Sequence, residues 1–154
     1  MSNAPRLGET VEHFEKPERA VDVVFLHCSA ASRPDIDAHE INRWHLDNGW
    51  AGIGYHYFMM TDGTLQYGRD IEIVPAAQSG YNTGSIAICL NGLEVDDFTD
   101  AQLERLLEFC SEIDSAYNGI RFRGHKEVAA KACPVFDYQK VLALDSDGMM
   151  IWPE

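Results

Sequence analysis

Basic residues are scarce in this sequence. Twelve Lys and Arg stand against 25 Asp and Glu, for a net charge of −13. A nucleic-acid binder carries a basic footprint, and so does a chain drawn to an anionic membrane surface, so neither class is expected. No apolar run approaches the ~20 residues that span a bilayer. Met1 to Glu18 holds no hydrophobic segment, so the reading is synthesis in the cytoplasm without a secretory signal peptide. No Cys-x-x-Cys pair occurs, and four cysteines in 154 residues are too few for a disulfide-stapled fold. Internal repeats, low-complexity tracts and a second-domain linker are also missing. One domain remains, long enough to bury a core of its own and expected to be monomeric.

Residues 1–19 are charged and carry two prolines, which predicts a weakly ordered polar arm ahead of a domain over 20–154. Ala20 to His27 reads as the first strand, dense in Val, Phe and Leu, and its apolar run suggests a central strand covered on both faces. A helix is predicted from about Ile36 to Asn48, capped by Gly49. Strands follow at Tyr55–Met60 and Leu65–Arg69, joined by the Asp62-Gly63 turn. Ile71 to Asn82 reads as an irregular cleft wall, and Ser85–Leu90 as another buried strand. Thr99 and Gln102 form a capping box for a helix to Tyr117. A short strand at Ile120–Arg123 and a short helix near Tyr138–Leu144 complete the chain. Alternating strands and helices with one hairpin imply an α/β domain with a central mixed sheet flanked by helices.

The chemistry concentrates in two places. The first strand delivers His27 at its C-terminal end. The segment from Gly124 to Pro134 offers His125, Lys131 and Cys133. Successive strand side chains point to opposite faces, so His27 faces the site and Cys28 packs. Two imidazoles and one thiolate suit an open Zn²⁺ site, with a fourth position left for water. Lys131 and Tyr55 are candidates to steady a developing oxyanion, with a solvated lysine and a core tyrosine as the plainer readings. Glu127 is either a partner for a ligand histidine or a surface carboxylate. Arg121, Arg123, Lys126 and Lys131 form either a local positive pocket or a solvated face. Cys133 with His125 also admits a nucleophile–base pair, although Pro134 removes one backbone N–H from any oxyanion hole there.

These residues stand in a recognisable order: Phe25-Leu26-His27-Cys28-Ser29-Ala30, Trp44-His45 with Gly49-Trp50, Gly54-Tyr55-His56, Asp62-Gly63-Thr64, Gly68-Arg69-Asp70, Gly80-Tyr81-Asn82 with Ser85-Ile86, and His125-Lys126-Glu127-Val128 through Lys131-Ala132-Cys133-Pro134. Together they resemble the zinc-dependent N-acetylmuramoyl-L-alanine amidases of the type 2 family, whose superfamily includes phage amidase-type lysozymes and the peptidoglycan recognition proteins. The resemblance implies a zinc in a surface groove held by His27, His125 and Cys133, with Tyr55 and Lys131 catalytic. It implies cleavage of the amide between N-acetylmuramic acid and L-alanine, peptidoglycan or a muropeptide as partner, and action at the cell wall. Non-cutting members of the superfamily typically lack the metal-binding cysteine, so a peptidoglycan-binding module is the alternative. Pro75-Ala76-Ala77-Gln78-Ser79 lacks the histidine that some phage relatives carry there.

Overall fold

The computed structural model describes residues 5–151. Five strands form one mixed sheet: β1 (Val23–Cys28), β2 (Tyr57–Met59), β3 (Leu65–Tyr67), β4 (Ser85–Leu90) and β5 (Arg121–Gly124). The spatial order is β3-β2-β4-β1-β5. β1 lies parallel to β4 and β5, β2 is parallel to β4, and β3 returns antiparallel to β2. The helices are α1 (Ala38–Asp47), α2 (Asp100–Tyr117) and the short α3 (Tyr138–Val141).

The sheet has two unlike faces. Val24, Leu26, Ile86, Ile88, Leu90, Tyr57 and Met59 pack with Leu106, Phe109, Cys110 and Ile113 of α2. This is the main core. Alternation sends Cys89 and Phe58 to the other face, where they meet Ile36, Ala38 and Ile41 at α1. α1 is the shorter of the two long helices, and the sheet beyond it becomes the floor of the site. The Thr99–Gln102 capping box is present at the start of α2, and Gly63 takes φ +90° in the hairpin turn.

The N-terminal arm differs from its expectation. Gly8 and Val11 donate their N–H groups to the carbonyls of Tyr67 and Leu65 at 2.8 Å, and Tyr67 donates back to Glu9 at 2.9 Å. Val11 is buried, and Phe14 meets the Phe109 ring edge-on at 5.9 Å. The arm is therefore a ribbon along the free side of β3, held by two apolar residues within a charged stretch. Residues 1–4 of the arm, and the tail 152–154, lie outside the described residues.

His56 shows how tightly the centre of the sheet is wired. Its Nδ1 accepts from the Ala87 N–H at 3.1 Å, and its Nε2 lies 2.8 Å from the Ile73 carbonyl. Burial lowers its pKa from 6.5 to about 4. Between those values the unfolded chain takes up a proton that the folded chain refuses, so ν_U exceeds ν_N and stability rises with pH there. The increment is whole above pH 6.5 and is lost as pH falls towards 4; it amounts to about 3 kcal/mol. His56→Asn keeps an acceptor for Ala87 but no titrating ring. Its urea midpoint should fall less between pH 7 and pH 4.5 than that of the parent protein; equal falls would refute the assignment.

Candidate metal centre

β1 carries His27 to its penultimate position, on the α1 face of the sheet. His125 follows directly after β5, the strand next to β1. Cys133 returns on the loop that starts at His125, whose closure is marked by the Lys126 N–H to Cys133 carbonyl bond at 2.7 Å. One ligand atom from each of His27, His125 and Cys133 lies within 4.8 Å of the other two. The imidazole centroids are 4.6 Å apart, and His27 Nδ1 is 3.9 Å from Cys133 Sγ. Donors bound tetrahedrally at zinc distances sit about 3.3–3.8 Å apart, so the cluster is nearly at that size.

The local chemistry suits a cation. Burial lowers the pKa of His27 to about 3, with the charges of His125 and Lys131 adding to the effect. His125 is also lowered, by burial and then by Lys131. Both rings are thus neutral at pH 7 and offer lone pairs. β5 stops at Gly124, opposite Leu26. Past that point the Cys28 N–H finds the Cys133 sulfur instead of a strand, at 3.0 Å. An amide donor stabilises a thiolate there, whereas the neighbouring Cys28 thiol and then burial push Cys133 up. A dication resolves that conflict in favour of the thiolate.

Tyr55 lies two residues ahead of β2, not within a strand as expected. Its ring is 5.0 Å from that of His27. Burial holds its pKa well above 10, so the hydroxyl keeps its proton. Gly54 permits this approach: a Cβ there would lie 2.1 Å from the Ala76 carbonyl oxygen. Lys131 is exposed, yet its charge is felt at both imidazoles. Glu127 does not reach a ligand histidine by any bond described here. It accepts from the Gly124 N–H at 2.7 Å, from the Tyr138 hydroxyl and from Arg123. Of the basic residues nearby, Arg123 pairs with Glu127 at 3.3 Å and Lys126 lies over the Tyr138 ring.

Gln78 is the residue that sequence reasoning missed. It is fully buried and its Oε1 lies 2.9 Å from His27 Nε2. A glutamine in an irregular stretch gives no signal of such a role. His45 also lies close by. Its Nδ1 accepts from the Gly54 N–H at 3.0 Å, and its ring stands 5.6 Å from Tyr55 and 4.6 Å from Trp50.

Fold and site together define a class: a single-domain α/β protein in which His27, His125 and Cys133 form a three-donor cluster among the described residues. The N-acetylmuramoyl-L-alanine amidase family model matches residues 17–136. The endolysin of Escherichia phage T7 is 38% identical over 133 residues, covering 81% of this chain and 87% of that protein. Peptidoglycan-recognition protein LB of Drosophila melanogaster is 30% identical over 144 residues, covering 84% of this chain and 60% of that protein. The fold matches N-acetylmuramoyl-L-alanine amidase LysC of Clostridium intestinale URNW with a TM-score of 0.74, at 24% identity over 90% of this chain and 96% of that one. The chain belongs to the N-acetylmuramoyl-L-alanine amidase family.

Proposed function

We propose that this protein is a zinc-dependent peptidoglycan hydrolase that cuts the amide between N-acetylmuramic acid and the L-alanine of the stem peptide. The observation that carries the reading is the convergence of two buried, neutral imidazoles and one amide-supported sulfur within 4.8 Å, in a chain of the amidase family. His27, His125 and Cys133 would hold the ion. Zn²⁺ there supplies a Lewis acid that acidifies water and polarises a carbonyl.

The chain's own residues do the rest. Tyr55, protonated at all working pH, donates a hydrogen bond to the oxygen that gains charge as the carbonyl becomes tetrahedral. Lys131 places a positive charge at the same oxygen and can hand a proton to the leaving amine. His27 is held by β1, which is paired on both sides with β4 and β5, so the donors need little rearrangement. A thiol-nucleophile mechanism fits worse, because Pro134 directly after Cys133 removes one backbone N–H from any oxyanion hole there.

The deciding assay uses purified sacculi, with zinc or with a chelator. New L-alanine amino termini should appear with zinc and vanish with the chelator. Wall binding without new termini would select a binding module. Loss of activity on alkylation, with full activity in chelator, would select the cysteine hydrolase. The synthesis site and the route to the wall belong to the same proposal: made in the cytoplasm, acting on the wall, as a monomer. Among the described residues no helix is long and apolar enough to cross a membrane.

A further inference from the structure

We propose that Gln78 is a positioning residue for the metal centre. Its side-chain amide fixes the His27 proton on Nε2 and so keeps the Nδ1 lone pair turned towards His125 and Cys133. The inference rests on the zinc reading above.

The orientation of the amide follows from what surrounds it. Gln78 Nε2 is 3.1 Å from the Tyr81 carbonyl and 2.7 Å from Ser85 Oγ. A carbonyl only accepts, so the NH₂ end must face Tyr81. Ser85 Oγ donates its own proton to the Asn82 carbonyl at 2.8 Å, so it too accepts from Gln78. Both N–H groups are then used, and Oε1 is the atom left facing His27 Nε2 at 2.9 Å. An amide oxygen cannot donate, so Nε2 must carry the hydrogen. In a neutral ring Nδ1 is then unprotonated, and Nδ1 is the nitrogen 3.9 Å from Cys133 Sγ.

The loop around Gln78 is built to hold this arrangement. Asn82 Oδ1 accepts from the backbone N–H of both Ala77 and Gln78, at 3.0 and 2.9 Å. Ser85 is the first residue of β4, which pairs with β1. The NH₂ end of the amide is thus anchored both to the sheet, through Ser85, and to the loop that bears the exposed Tyr81. Both Gln78 and His27 are fully buried. No water replaces the acceptor cheaply there, and an unpartnered Nε2–H would be costly. Outer partners of this kind set ring orientation and tautomer, and their loss typically weakens metal binding about 10–100-fold.

The test compares the full chain with Gln78→Met, which keeps length and loses the acceptor, and Gln78→Glu, which keeps an acceptor. Two quantities are read. One is the Zn²⁺ dissociation constant, by competition with a chelator of known affinity. The other is the His27 tautomer in the metal-free protein, from ¹⁵N chemical shifts of the ring. Gln78→Met should weaken Zn²⁺ binding about 10–100-fold and let the proton appear on Nδ1. Gln78→Glu should bind Zn²⁺ more tightly than Gln78→Met and stay protonated on Nε2. A Gln78→Met affinity within twofold of the parent, or a His27 still wholly Nε2–H, would overturn the inference. Failure of the parent itself to bind Zn²⁺ would overturn the zinc reading instead, and the tautomer would still decide the role of Gln78.

Discussion

Cys133→Ser should lose its zinc and its turnover together. A serine hydroxyl does not ionise near neutral pH, so the site would keep two neutral imidazoles and no anionic donor. The Cys28 N–H, which now points at sulfur from 3.0 Å, would have no thiolate to stabilise. Zinc per chain should fall from about one to below a tenth after gel filtration. Release of new L-alanine termini from sacculi should drop on the order of 10³-fold or more, since the Lewis acid and the activated water leave with the ion. Cys133 is only half-buried, so circular dichroism should show the fold intact. A metal-free variant that still cut wall at the parent rate would remove Cys133 from the ligand set.

Tyr55→Phe tests the other half of the mechanism and should separate from the first variant cleanly. The ring keeps its place 5.0 Å from His27, so zinc content should be unchanged. What disappears is one hydrogen-bond donor, and removal of a single oxyanion donor costs about 10²–10³-fold in kcat. KM should move little, because the donor matters most once charge has developed. A phenylalanine variant with full kcat and full zinc would make Tyr55 an aromatic wall and nothing more.

The parts of the molecule legible in the sequence are those where local pattern and burial agree. Val23–Leu26 of β1 and Ile86–Leu90 of β4 are apolar without interruption, and α2 announces itself through Thr99 and Gln102. The order of motifs from His27 to Cys133 carried the family. Other features depend on tertiary context. Tyr55 was read as strand, but the close approach of Gly54 to Ala76 bends the chain before β2 begins. The arm was read as loose because its charges outnumber Val11 and Phe14, although those two have the free border of β3 and the flank of α2 to meet. Gln78 left no trace at all. Its meaning comes from Tyr81 and Ser85 further along the same stretch, and from His27, which the fold brings to it from β1.

The ribbon formed by Gly8 to Val11 lies outside the span matched by the family, which starts at residue 17. Begun at residue 17, the chain would keep all three donors. Its outermost strand, however, would show a bare row of amides and carbonyls, an adhesive margin for another copy. The opening residues thus act as a selvedge, the finished border that stops a woven cloth from catching on its neighbour.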